Sequence, residues 1–208
     1  MRLKALAAGV ALLVLPSLAA PKDNGWTELF NGRDLSGWHL LKPDRPNLWK
    51  VEGGVYTTAA KGTDLQTDRE FYNFQLHVEF KLVPGSNSGV YMRDRYEIQI
   101  ADSYGKPPQD AGCGALYRRK APDAVACRPA GKWETFDVTF VKQRLTVRHN
   151  GQKILDNIET GPKGTGKSSN RDDAPGPLRL QGDHGQVSFR NVRIRPVSEA
   201  QGEKLLLK

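Results

Sequence analysis

The chain has 208 residues, 38% hydrophobic and 26% charged, with a formal net charge of +8 and two cysteines. That is enough chain for one domain with a real core. Its basic residues are scattered among acids and are not interleaved with aromatics, so the excess charge reads as a cationic surface and excludes a nucleic-acid stripe.

The opening, MRLKALAAGVALLVLPSLAA, has a basic start (Arg2, Lys4), an apolar run from Ala5 to Leu15, a break at Pro16 and then small residues. This is the anatomy of a secretory signal peptide, with cleavage contexts at Ser17-Leu18-Ala19 and Leu18-Ala19-Ala20. The run is shorter than the roughly 20 residues a membrane span needs. No cysteine lies near the cut to carry a lipid, and no later segment is apolar enough to span a bilayer. We expect residues 1–20 to be removed, the protein to be periplasmic or secreted with no membrane partner, and residues 21–208 to form a single domain.

Downstream, apolar residues recur with period two, the signature of half-buried strands. Phe74, Leu76, Val78, Phe80 and Leu82 share one face, as do Phe136, Val138 and Phe140, Leu145 and Val147, Val187 and Phe189, and Val192 and Ile194. Asn150-Gly151 between RLTVRH and QKIL is a strong hairpin turn signal. No segment shows a convincing helical period of ten or more residues. Many short strands with frequent Gly and Pro predict an all-β sandwich or barrel.

Two stretches concentrate chemistry. SGVYMRDRYEIQIAD (Ser88–Asp102) and LQGDHGQVSFRNVRI (Leu180–Ile194) each read as two strands joined by a tight turn. With Ile98 and Ile100 facing the core, Glu97 and Gln99 face outward. A turn of Asp94, Arg95 and Tyr96 sets Arg93 opposite Glu97 and Tyr91 opposite Gln99 on one side, the arrangement we expect; a two-residue turn would pair Arg93 with Tyr96 and split the cluster. Arg93 beside Glu97 is either a structural ion pair or a way of fixing a carboxylate for sugar hydroxyls or a cation. Gly182-Asp183-His184-Gly185 falls at the second turn, where His184 beside Asp183 is a candidate acid, base or metal ligand. His77 and His149 read as strand-surface residues, and His39 as a loop residue without evident partners. Trp133 has the opposite parity to Phe136, Val138 and Phe140, which turns it away from the core toward a ligand; Trp26, Trp38 and Trp49 are core or stacking residues.

The loop Gly161–Pro177 reads as mobile surface. It contains GPKGTGKS (Gly161–Ser168), a letter-for-letter phosphate-loop pattern. That motif needs a helix behind it, and the polar residues and prolines that follow exclude one. Cys113 and Cys127 bound a loop that an exported protein can close as a disulfide, worth about 3 kcal/mol on the chain-entropy model.

ELFNGRDLSGWH (Glu28–His39), NSGVYMRDRYEIQIADS, GALYRRKAP followed by AGKWETFDVTF (Ala130–Phe140), and LQGDHGQVSFRNVRIRP, in this order, resemble the 3-keto-disaccharide hydrolase domain family. The resemblance covers nearly the whole chain after the leader, from Trp26 to Val197. It implies a concanavalin-like jelly-roll β-sandwich of two antiparallel sheets, the concave one carrying the site. It also implies exported carbohydrate breakdown acting on glycosides oxidised at C3, in a pathway with a sugar 3-dehydrogenase. In that chemistry a base removes the C2 proton acidified by the ketone, the C1 aglycone leaves, and water adds. On this sequence His184 or Glu97 would be the base or acid. Arg93 and Gln99 would hold the enolate or sugar hydroxyls, with Tyr91, Gln181, Asp183 and Trp133 completing the site. A divalent cation could serve as the electrophile, since Glu97, Asp183 and His184 are suitable ligand types. Two alternatives stay open: a non-catalytic carbohydrate-binding module on the same fold, and a conventional glycosidase. The latter needs two carboxyls about 5–9.5 Å apart, and Glu97 has Gln99, not a carboxylate, two residues on.

Overall fold

A computed structural model describes residues 25–59, 61–162, 164–166 and 173–207, so the anticipated leader lies outside the described residues. The alternating segments become strands β1 (Thr27–Glu28), β2 (Trp38–Leu40), β3 (Trp49–Glu52), β4 (Val55–Thr58), β5 (Leu65–Phe71), β6 (Phe74–Leu82) and β7 (Asn87–Met92). They continue as β8 (Tyr96–Ala101), β9 (Glu134–Val141), β10 (Arg144–His149), β11 (Gln152–Glu159), β12 (Gly176–Leu180) and β13 (Val187–Pro196), before helix α1 (Glu199–Leu206). All pairings are antiparallel. The larger sheet runs β11-β10-β9-β6-β13-β4-β3, with β1 also on β13; the smaller runs β2-β5-β12-β7-β8. The two face each other as a jelly-roll β-sandwich, as expected.

On the larger sheet the inward rows are those that the alternation names. Phe74, Leu76, Val78, Phe80, Phe136, Val138, Phe140, Leu145 and Val147 are buried, against Leu65, Val90, Met92, Ile98, Ile100, Leu178 and Leu180 of the smaller sheet. Burying each such side chain contributes about 1.5–3 kcal/mol. Asn150 and Gly151 both take positive φ (50° and 83°), the two-residue turn that matches strand twist. A bulge at Asn191 (φ 48°) shifts the register of β13 between Arg190 and Arg193. The extra residue changes parity, which is how Val187 and Phe189 on one side of it and Val192 and Ile194 on the other all point inward.

One expectation is corrected. Leu180–Ile194 is not a hairpin: β12 belongs to the smaller sheet and β13 to the larger, so residues 181–186 cross from one sheet to the other. The C-terminus carries a short helix, too brief to show a long period. Ser198 and Gln201 close its first turn as a capping box, Lys142 pairs with Glu199 at 2.5 Å, and Gly202 lies flat on Val141.

Candidate active site

The β7–β8 hairpin sets the geometry. Its turn is Arg93-Asp94-Arg95, closed by Arg95 N donating to Met92 O at 3.0 Å, with Arg93 and Asp94 at positive φ. The register is therefore one residue earlier than anticipated: Met92 faces Tyr96, Tyr91 faces Glu97, and Gly89 faces Gln99. Arg93 consequently leaves the cluster. It is 1% exposed, donates through Nε and Nη2 to Tyr72 O at 2.9 and 2.6 Å, and lies over the rings of Phe140 and Tyr72.

Arg179 takes the position expected of Arg93. On β12, Leu178 and Leu180 point inward, so Arg179 and Gln181 face out beside Tyr91 and Glu97. The Arg179 guanidinium lies 3.6 Å over the Tyr91 ring and donates from Nη1 to Asp64 Oδ2 at 2.8 Å. Its Nε is 2.6 Å from Asp94 Oδ1, an ion pair that is not aligned as a hydrogen bond. Gln181 Nε2 donates to the Tyr91 hydroxyl at 3.2 Å. Gly89 is required beneath this group: a Cβ there would lie 2.3 Å from Glu97 Oε1, so only glycine lets the carboxylate lie across the neighbouring strand.

Glu97 is 3% exposed. Burial raises its carboxyl above the ordinary carboxylate range, against the opposing effects of the Tyr91 hydroxyl, the Arg179 charge, His184 and Thr165. Burial and the adjacent Glu97 likewise push the Tyr91 phenol far up, so it stays protonated and donates. The segment crossing between sheets brings Asp183 and His184 to the same place, with His184 Nδ1 2.5 Å from Asp183 Oδ1. His184 is half exposed, which leaves its other nitrogen free for a ligand. Tyr91, Arg179, Gln181, Asp183 and His184 line one cavity of about 150 Å³ with Leu41, Lys42, Thr63, Asp64 and Thr165. Of the two distant stretches, Tyr91 from the first and Gln181, Asp183 and His184 from the second meet at this hollow; Arg93, Glu97 and Gln99 do not line it, and Glu97 reaches it only through its bonds to Tyr91 and Thr165.

Part of the Gly161–Pro177 loop is not free surface. Gly166 N donates to Arg95 O at 2.8 Å and Thr165 Oγ1 to Glu97 Oε2 at 3.4 Å. The phosphate-loop lookalike is irregular where described, its last two residues lie outside the described ones, and the next element is β12.

Other expected residues fall elsewhere. Gln99 shares the Glu97 side but is buried, its Oε1 accepting from Ile100 N at 3.1 Å. Trp133 lies over the outer face of the larger sheet under Lys81 and Arg190, on the opposite side of the sandwich from the cavity. Parity turned it outward, but from the wrong sheet. Cys113 and Cys127 are free thiols, not a disulfide. Glu97, Asp183 and His184 do not converge as a ligand set; among the described residues the converging set is Cys113, Cys127 and His149. His149 is fully buried, not on the surface, and His39 bonds Asp68 at 2.7 Å and Gln66 at 3.2 Å. Of the residues the sequence reading missed, Arg179 was legible from the parity of Leu178 and Leu180, and His149 from that of Leu145 and Val147. Asp64, Lys42 and Thr165 lie outside any alternating run and gave no signal.

Residues 25–195 match the model of the 3-keto-alpha-glucoside-1,2-lyase-like domain. The chain belongs to this family. A 3-keto-disaccharide hydrolase of Bacteroides thetaiotaomicron is 33% identical over 179 residues, covering 68% of this chain and 62% of that protein. The chain thus spans less than two thirds of that relative's length. A candidate glycosyl hydrolase of Parabacteroides distasonis superposes with a TM-score of 0.71 at 28% identity over 84% of each chain. A β-glucanase of Bacillus licheniformis, at 10% identity and a TM-score of 0.53 over 85% of this chain and 100% of that one, shares the fold alone. Within this 3-keto-alpha-glucoside-1,2-lyase-like domain, the cavity lies on the outer face of the smaller sheet.

Proposed function

We propose that the protein is an exported enzyme that cleaves 3-keto-glycosides, 3-keto-disaccharides among them. The observation that carries this reading is an Asp183–His184 pair lining a cavity, with a buried, easily protonated carboxyl, Glu97, next to it and bonded to two of its lining residues, Tyr91 and Thr165. Family membership and the curated relative's name support the substrate class.

His184, oriented through Nδ1 by Asp183, takes the C2 proton. The electron pair moves into the C2–C3 bond and charge develops on the C3 oxygen. Donors facing that oxygen stabilise it, and one such donor is worth roughly 3–4 kcal/mol elsewhere; Tyr91 and Lys42 line the cavity as candidates. The C1–O bond then breaks, and the Glu97 carboxyl gives its proton to the departing oxygen. The product is a 3-keto sugar unsaturated between C1 and C2. Water returns the balance: its proton goes to the Glu97 carboxylate, its hydroxide to C1, and the His184 proton back to C2. The ketone must come from an oxidation at C3, the work of a sugar 3-dehydrogenase. A purely binding module would need neither a raised carboxyl nor an oriented imidazole.

The test is incubation of 3-keto-disaccharides with the wild type, His184→Ala and Glu97→Gln, in deuterated water. His184→Ala should lose both C2–H exchange and cleavage. Glu97→Gln should keep exchange and lose cleavage by about 10²–10⁴-fold. Full cleavage by both variants overturns the mechanism.

A further inference from the structure

On the far side of β8 from the cavity, the turn structure between β8 and β9 carries Cys113 and Cys127 against the end of β10. One sulfur from each and a ring nitrogen of His149 all lie within 4.8 Å of one another. His149 is 0% exposed, and its Nδ1 has no hydrogen-bond partner among the described residues. Its other nitrogen is fully committed: Nε2 faces Glu134 Oε2 at 2.8 Å. That carboxylate is itself pinned by Arg128 N at 2.9 Å and Asn150 Nδ2 at 3.0 Å. A carboxylate acceptor at Nε2 places the proton there and leaves Nδ1 as a bare lone pair. Two aromatic rings pack against one side of it, Phe136 at 4.9 Å and Phe80 at 5.9 Å between centroids.

We infer that Cys113, Cys127 and His149 form a metal site for a thiophilic divalent ion of the zinc class, with Glu134 orienting the histidine. Two sulfurs and one imidazole select zinc over the hard cations. Zinc binds sulfur at about 2.3 Å and nitrogen at about 2.0–2.1 Å, so a tetrahedral ion holds such atoms about 3.5–3.8 Å apart, and these three, within 4.8 Å of one another, would draw together on binding. A fourth position remains for water on the half-buried Cys127 side. A disulfide between the two cysteines would satisfy the sulfurs but leave the buried Nδ1 lone pair unpartnered; a bound ion satisfies all three. The consequence is mechanical. Gly114 N donates to Gln99 O at 2.8 Å, Gln99 N to Ala115 O at 3.0 Å, and Tyr117 N to Glu97 O at 3.0 Å, so the segment beginning at Cys113 lies along β8 as an extra rail. An ion at Cys113 anchors the backbone of the strand that carries Glu97.

The full chain, produced with zinc supplied and then exchanged into metal-free buffer, should retain one zinc per chain by elemental analysis. Cobalt substitution should give near-ultraviolet sulfur-to-cobalt charge-transfer absorption. Cys127→Ser should lose the metal while keeping the β-sheet circular dichroism. A wild-type mass lower by two hydrogens, a cobalt-treated wild type without the charge-transfer band, or zinc content unchanged in Cys127→Ser overturns the site. Should Cys127→Ser not fold, the wild-type cobalt spectrum decides alone.

Discussion

Glu97 shows what a single residue can concede to function. Its carboxyl is buried, and burial outweighs the Tyr91 hydroxyl and the Arg179 charge, leaving its folded-state pKa above the ordinary value. The linkage sign follows. A group raised on folding favours the folded state below its unfolded pKa, and that contribution is lost as pH rises through the folded pKa. Above the ordinary carboxylate pKa, keeping the Glu97 carboxyl buried is thus a cost that Gln would not bear. Glu97→Gln should match the wild type in melting temperature near about pH 4 and exceed it by about pH 7, while cleavage falls. Thermal denaturation of both proteins across that range checks the claim. A variant less stable than the wild type at neutral pH would mean that the carboxylate is net stabilising, and that the burial argument is wrong.

The elements explain why that carboxyl points where it does. The β7–β8 turn sits one residue earlier than its sequence suggests because Arg93 finds a better place, stacked on Phe140 and bonded to Tyr72 O, than opposite Glu97. Once the turn is fixed, residues 164–166 can lie on it. This needs glycine: a Cβ at Gly166 would be 1.8 Å from Asp94 O and one at Gly164 1.9 Å from Arg95 O. Gly166→Ala should therefore lift the segment and withdraw Thr165 from Glu97. A displacement of about 1 Å near a reacting group can cost on the order of 10²-fold, and kcat/KM for a 3-keto-disaccharide should fall by up to that factor. The melting temperature should stay within a few degrees, because the segment buries little apolar surface. Unchanged kcat/KM would show that the segment is a bystander to the site.

At the scale of the whole molecule, the sequence carried the architecture better than the site. Alternation named the inward rows of the larger sheet, because a strand with one buried face must alternate, but on the smaller sheet it named only Ile98 and Ile100 and left out Leu65, Val90, Met92, Leu178 and Leu180. It could not say which sheet a strand joins: β12 and β13 are neighbours in sequence and lie in opposite sheets, and Trp133 points outward from the sheet without the cavity. Register was likewise hidden, since a slip of one residue exchanges Arg93 for Arg179 without altering the pattern of apolar letters. Both sheets nevertheless share one core, so they should unfold together. Phe136, on the larger sheet, and Leu180, on the smaller, are both fully buried in it. Phe136→Ala should cost about 3–5 kcal/mol and Leu180→Ala about 2–5 kcal/mol. Each should lower one denaturation midpoint seen alike by tryptophan fluorescence and far-ultraviolet circular dichroism, with no change in slope. If Leu180→Ala instead splits the transition, with one probe melting early, the smaller sheet folds onto the larger as a separate unit. The site would then rest on the weaker half of the sandwich.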